Sequence, residues 1–337
     1  MKNLILIPAI LLIILSACDL SDKSEQVNNS LTIQGTPAIA NISQRIEDEP
    51  DNAELYAQRG RLFYEEEEYD AAISDLTNAI NRDSLNVAYY HLLSDAYFDS
   101  NQSKPAIATL QRITNKDSTQ LNTLLKLGEM QMIVRQHEAS LNTIGLIFNQ
   151  DRRHPEGFYL GGLNFEQMRD TARAIKAFQT TVEEDPDHID AYRKLGRLFD
   201  AKNNKIALKY YDNALRIDST DMEALMGKGW YFHQREQFAD AKKYYDKAGK
   251  FHAFASGVHF DNGILHLEMK DPETAHKKFD LAINIEPQYG IAYYYRAVAA
   301  ERMGKNINII INDYQQAAAL MPDPLRATTA LDRLGVQ

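Results

Sequence analysis

The chain has 337 residues, and its 37 basic and 47 acidic residues give a formal net charge of −10. This negative balance argues against a nucleic-acid phosphate backbone or an anionic lipid surface as the main partner. Cys18 is the only cysteine, which excludes an internal disulfide framework.

Near the start of the sequence, Lys2 is followed by an apolar run from Leu4 to Leu15 that Pro8 interrupts. A membrane-spanning helix needs roughly 20 apolar residues, whereas the apolar core of an export signal needs about 7 to 15. The run is therefore predicted to be a cleaved export signal over residues 1–17. Its removal takes away Lys2, which leaves 36 basic against 47 acidic residues and changes the net charge from −10 to −11.

The signal ends in Leu15-Ser16-Ala17-Cys18, which resembles the lipobox of bacterial lipoproteins. The resemblance implies cleavage before Cys18 and palmitate-type acyl chains on the new amino terminus, and more than one such chain anchors a protein stably. An ordinary cysteine close to a normal signal cleavage site is the alternative.

The residues after Cys18 indicate to which membrane the protein is expected to be sorted. Asp19 resembles the inner-membrane retention signal of enteric bacteria, yet in other Gram-negative groups acidic residues such as Asp19 and Asp22 accompany export to the surface. The expected location is the cell envelope, with the outer membrane favoured over the inner one and the periplasmic or surface face left open. Residues 18–35 are too polar to fold alone and are predicted to form a flexible tether.

From Thr36 onward the sequence repeats with a period of 34 residues. The first two aligned sets are Tyr56, Gly60, Phe63, Ala72 and Tyr90, Ser94, Tyr97, Ala106. The pattern resembles the tetratricopeptide repeat (TPR). This resemblance implies an all-α fold, a right-handed superhelix (α-solenoid) of about eight helix-turn-helix repeats with capping helices at both ends.

The period also sets the predicted boundaries. A leading helix occupies 36–52, eight units occupy 53–324, and a capping helix with Leu325, Leu331 and Leu334 occupies 325–337. The units are 53–86, 87–120, 121–154, 155–188, 189–221, 222–255, 256–289 and 290–324. The fifth lacks one residue in the turn at 201–205, and the eighth has one more at 304–306.

The repeated positions have physical reasons. Small residues such as Gly60 and Ala72 are expected where two helix backbones approach closely, with the aromatic positions filling the space beside them. Gln131, His259 and His266 replace aromatic residues, so their units are expected to pack less tightly.

The sequence contains no phosphate-binding loop, Gly-x-Ser-x-Gly elbow, His-Glu-x-x-His or Cys-x-x-Cys motif. His252, His259 and His266 recur every seven residues, and the last two are spaced to share a helix face as metal ligands do. Both occupy core aromatic positions, which favours packing. We therefore predict no enzymatic activity, no metal and no cofactor.

The residues expected to face the concave surface are polar in units three to five and apolar in units six to eight. The apolar set is Met226, Trp230, His233, Phe260, Ile264, Leu267, Ile291 and Tyr294. A contiguous aromatic patch is typical of a surface that docks a peptide or helix. Two alternatives remain: the carboxyl-terminal helix covers the patch, or the seventh first helix is rotated so that Phe260 and Leu267 are core.

These features together predict a lipid-anchored protein–protein interaction scaffold, or adaptor, in the bacterial envelope. Its expected partners are a protein or peptide of an envelope assembly and, through the lipid, the membrane, with no nucleic acid. The alternative is a surface-exposed receptor or accessory protein for glycan or nutrient uptake, in which aromatic rings stack on sugars. The sequence leaves the partner and the oligomeric state open.

Overall fold

The computed structural model describes residues 36–336, and every regular element in that range is an α-helix. The predicted signal, Cys18 and the whole predicted tether lie outside the described residues. Within 36–336, no helix combines the length and apolarity needed to cross a membrane. The chain divides into two compact units, Met1–Asp51 and Asn52–Gln337.

The first unit contributes one described helix, α1 (Pro37–Asp48). Pro37 occupies its first turn, where the missing N–H of proline costs no helical hydrogen bond. The helix ends where the Glu49 N–H donates to the Arg45 carbonyl.

The second unit contains helices α2 to α18, which pack mainly in consecutive pairs, and each pair also packs against the next. The first helices of the pairs are α2 (Ala53–Glu65), α4 (Val87–Asp99), α6 (Leu121–Ile133), α8 (Pro155–Gln167), α10 (Ile189–Asp200), α12 (Met222–His233), α14 (Ser256–Glu268) and α16 (Gly290–Arg302). The second helices are α3 (Tyr69–Arg82), α5 (Ser103–Lys116), α7 (His137–Gln150), α9 (Thr171–Glu184), α11 (Ala207–Ile217), α13 (Phe238–Phe251), α15 (Pro272–Ile285) and α17 (Ile307–Leu320). The last helix is α18 (Leu325–Arg333). The boundaries of the repeat units stay a prediction.

The turn inside each pair contains one residue with a left-handed backbone. These residues are Glu67, Asn101, Arg135, Arg169, Asn203, Glu236, Lys270 and Gly304. The N–H of the following residue donates to a carbonyl five positions earlier, as from Glu68 to Phe63 at 2.8 Å. This is the hydrogen bond of a Schellman motif, and it gives each pair the same chain reversal.

The glycine of the first helix accommodates an aromatic ring of the second. A Cβ atom at Gly162 would lie 2.5 Å from the Phe178 ring, and one at Gly229 would lie 2.4 Å from the Tyr245 ring. Gly196 and Gly263 face Tyr211 and Phe279 in the same way. At these four glycines the nearest atoms belong to a side-chain ring, whereas a Cβ at Gly60 would also lie 3.4 Å from the Ala72 carbonyl oxygen.

Consecutive pairs are joined by a repeated polar contact. The second helix of one pair presents an aspartate, and the first helix of the next presents a donor sixteen positions later. The contacts are Lys228 to Asp212, Asn262 to Asp246 at 2.9 Å, and Arg296 to Asp280 at 2.6 Å. Because both members recur every 34 residues, the contact holds the fifth to eighth pairs in one register.

The three polar replacements of aromatic residues are buried. The Gln131 side-chain oxygen accepts from Thr143 at 2.8 Å, His266 pairs with Asp271 at 3.0 Å, and His259 contacts the Ala253 carbonyl at 2.8 Å. Hydrogen bonds therefore stabilise these positions where the sequence led us to expect looser packing. Only the His259 Nδ1 atom is buried without a partner among the atoms of these three side chains in the described structure.

The capping helix packs through two of the three expected leucines and through two alanines. Ala327 and Ala330 of α18 are buried, and Leu331 and Leu334 pack against the cluster around Tyr314. Leu325 is 65% exposed because it begins the helix and points away from this cluster. It is therefore corrected from a packing residue to a surface residue.

Substituting two adjacent glycines of α8 tests the ring-on-glycine packing. Gly162→Ala is expected to lower the free energy of unfolding by about 1–3 kcal/mol, because its Cβ overlaps the Phe178 ring. Gly161→Ala is the matched control, since a Cβ there meets nothing within 4 Å. It should raise stability by about 0.5–1 kcal/mol through the higher helix propensity of alanine. Urea unfolding followed by circular dichroism measures both, and equal effects would contradict the packing argument.

Candidate functional site

Two adjoining cavities lie along the first helices α10, α12 and α14. The larger has a volume of about 500 Å³, and its lining includes Arg193, Arg197, Tyr211, Glu223, Met226, Gly227, Trp230 and Asp261. The smaller has about 210 Å³ and is lined by Trp230, His233, Phe260, Asp261, Ile264 and Tyr295. Trp230 and Asp261 line both cavities. We call this continuous surface the Trp230 groove.

Helical periodicity explains why Trp230 reaches this surface. Ala224, Leu225 and Tyr231 direct one side of α12 into the core, where they are almost fully buried. Met226 and Trp230 are four residues apart and therefore share the other side. Trp230 keeps 46% of its surface exposed, which is unusual for a side chain type that is highly buried on average.

Tyr211 of α11 forms the floor of the larger cavity. Its ring lies between Gly196 and Gly227, and a Cβ at either glycine would come within 2.5 Å of it. Burial raises the pKa of the Tyr211 hydroxyl well above its usual range, so the oxygen stays protonated at neutral pH. Gly227 was not predicted as a site residue, although an additional glycine two residues before Gly229 can be seen in the sequence.

Most charges of the groove have partners. Arg193 donates to Asp221 at 2.7 Å and also to Asp190. Arg197 donates to Glu166 at 2.9 Å, and Asp200 accepts from Arg235 at 3.2 Å. Except for Arg193 with Asp190, which lie on one helix, these pairs connect successive helix pairs, and Glu166 also pairs with Lys194 at 2.8 Å.

Asp261 differs from these residues. It lies half-buried on α14, and within residues 36–336 its carboxylate has no hydrogen bond and no ion pair. Burial raises the pKa of Asp261, and the nearby His233 offsets only part of this increase. Asp261 was not predicted from the sequence, because the absence of a partner for its carboxylate is visible only in three dimensions.

Six of the eight predicted groove residues keep exposed surface: Met226, Trp230, Phe260, Ile264, Ile291 and Tyr294. Met226, Trp230, Phe260 and Ile264 line the Trp230 groove. Ile291 and Tyr294 do not line either of its cavities, and Tyr294 packs with the cluster that includes Ala330 of α18.

Leu267 is corrected to a core position, whereas His233 lines the smaller cavity of the groove although little of it is exposed. The exposed fractions of His233 and Leu267 are 6% and 5%. Each follows a groove residue by three positions, which is about 60° around the helix axis, so it lies at the edge of the same face and reaches the second helix of its own pair. His233 contacts the Tyr245 ring edge and Glu268 at 2.9 Å, and Leu267 packs against Phe279.

The two alternatives for the apolar patch each apply to part of it. The carboxyl-terminal helix packs into the cluster at Tyr294, whereas Trp230 stays exposed. Phe260 lies between core and groove, with its ring centroid 5.8 Å from that of Phe279 and 5.7 Å from that of Tyr295. The open part of the patch is therefore centred on Trp230.

Comparison with known proteins identifies the repeats. Residues 63–126 match one family model described as tetratricopeptide repeat, and residues 159–205 and 198–251 match a second with the same description. A similar curated relative is the DnaJ homolog subfamily C member 7 homolog of Dictyostelium discoideum, 22% identical over 217 residues. The alignment covers 60% of this chain, and the chain spans only 34% of the relative.

Two solved structures show the same fold at low identity. A tetratricopeptide repeat protein from Parabacteroides merdae has a TM-score of 0.51 and 14% identity, over 71% of this chain and 94% of that chain. The Cut9–Hcn1 hetero-tetramer of the APC/C has a TM-score of 0.53 and 13% identity, over 88% of this chain and 58% of that chain. The predicted fold class is thereby confirmed: residues 63–126 and 159–251 match tetratricopeptide repeats, and the described chain folds as an α-solenoid of that kind.

Proposed function

We propose that this chain is a protein–protein interaction scaffold that docks a peptide or helix of a partner protein in the Trp230 groove. The observation that carries the proposal is the half-exposed Trp230 between two adjoining cavities. The tetratricopeptide-repeat fold itself suggests such a role, because stacked repeats form extended binding surfaces.

The composition of the groove suits a protein ligand. In the larger cavity, apolar side chains stand beside a few charged ones. Tryptophan is among the residues that most often dominate binding energy at protein interfaces. Because Arg193 and Arg197 already have acidic partners, they stiffen the wall of the groove without presenting a strong unpaired positive charge.

The proposal extends to the cell envelope on sequence grounds. The signal over residues 1–17 and the residues before Cys18 support lipid attachment, with the outer membrane as the favoured location. An envelope assembly would then supply the docked peptide or helix. The absence of catalysis, metal and cofactor stays a prediction. Among the described residues, no group of three or more His, Cys, Asp or Glu side chains is arranged to hold a metal ion.

Site-specific crosslinking in intact cells tests the docking role. Benzoylphenylalanine at position 230 is expected to give a discrete adduct with a partner protein, because a docked segment covers Trp230. Phe254 is the matched control, since it is 90% exposed and does not line the Trp230 groove. Benzoylphenylalanine at position 254 should give no such adduct. Identical adducts at both positions, or none at 230, would contradict docking in the groove.

Cell fractionation tests the lipid anchor. Cys18→Ser is expected to abolish incorporation of labelled palmitate and to leave a precursor that retains its signal, because the serine hydroxyl does not replace the acylated thiol. The wild-type chain should incorporate the label and appear in the outer-membrane fraction. Signal processing and membrane attachment that are the same in both proteins would contradict the proposed lipid anchor.

A further inference from the structure

We infer that the Trp230 groove takes a cationic side chain, a lysine or arginine of the docked peptide, between the Asp261 carboxylate and the Trp230 ring. This inference rests on the proposed docking function and specifies the chemistry of the ligand.

The uncompensated negative charge of Asp261 is the first feature that favours a cationic ligand. A half-buried carboxylate beside Trp230, Phe260 and Ile264 is unfavourable unless something compensates its charge. No cationic side chain within the described residues pairs with it, and burial raises its pKa, as expected of a carboxylate poorly solvated in an apolar setting. A cation from a ligand would provide the missing partner.

The second argument is the charge that remains after internal pairs are formed. The three positive charges of Arg193, Lys194 and Arg197 are together compensated by Asp221, Asp190 and Glu166, with Glu166 shared between Lys194 and Arg197. Glu223 lies 3.9 Å from the Arg193 Nε atom and is largely exposed, so it adds a weakly compensated negative charge. The side of the groove near Trp230 is therefore negative. An acidic ligand side chain would be repelled there, and an apolar one would bury Asp261 without a partner.

The third argument is the aromatic surface. An exposed indole face attracts a cation through the quadrupole of the ring, most strongly where water is partly excluded. Trp230 provides such a face within the same cavity as Asp261. Lysine and arginine also carry long aliphatic stems that pack on apolar residues while the charged group reaches a carboxylate. Phe260 and Ile264 provide this apolar surface at the smaller cavity.

A random peptide library displayed on phage and selected on the full-length chain tests the inference. We expect the enriched peptides to share lysine or arginine at one fixed position, next to apolar residues. Selection on Asp261→Asn should lose this basic preference while keeping the apolar one, because asparagine preserves size and removes charge. Asp240→Asn is the matched control, since Asp240 is exposed on α13 and does not line the groove.

A double substitution measures the coupling. Replacing the selected basic residue by norleucine is expected to weaken binding about tenfold to the wild-type chain and to have little effect on Asp261→Asn, as for a close charge pair. The fluorescence of Trp230 reports binding directly, because it is the only tryptophan in the chain.

The outcomes separate the two proposals. The inference is overturned, and docking is left intact, if the peptides require Trp230 for binding but share no basic position. The same holds if the norleucine variants lose as much affinity for Asp261→Asn as for the wild-type chain. If no peptide is enriched, or if Trp230→Ala binds the enriched peptides as well as the wild-type chain does, docking in the groove fails and the inference fails with it.

Discussion

In four of the pairs an aromatic ring of the second helix lies directly on the glycine of the first, and the arrangement of the rest depends on this contact. Gly162, Gly196, Gly229 and Gly263 leave room for rings that are buried almost completely. The contact sets the distance between the two helices of a pair. The polar contacts between pairs, such as Asn262 to Asp246, then hold successive pairs in register. First helices consequently line one surface of the solenoid.

The same packing forms the candidate site. Tyr211 belongs to the core of its own pair through Gly196, and it also reaches under Gly227 of the next first helix to form the floor of the Trp230 groove. The geometry of the groove is therefore fixed by rigid packing, which reduces the entropy that a ligand must lose on binding. Within this rigid setting, Asp261 and Trp230 are the two groups whose interactions stay incomplete without a ligand.

The sequence predicts the fold because its determinants are local and periodic. The 34-residue spacing, the small and aromatic positions, and the proline found two residues after α9, α15 and α17 all follow from contacts that recur in every pair. The site was harder to predict. Leu267 and His233 lie about 60° around the helix from Ile264 and Trp230, and the repeat period does not show that this shift buries Leu267 and most of His233. Whether a charge is paired depends on residues about thirty positions away, as for Arg193 with Asp221, so the isolation of Asp261 was not visible.

Trp230 lies open in a groove of the folded chain. Its fluorescence reports this exposure directly, because no other tryptophan contributes to the emission. The account predicts emission at a wavelength close to that of an indole in water, with efficient quenching by acrylamide in the native state. Quenching by acrylamide should decrease when a docked peptide is added. Emission shifted to the blue together with protection from acrylamide in the free protein would show that Trp230 is already covered, and would contradict the account.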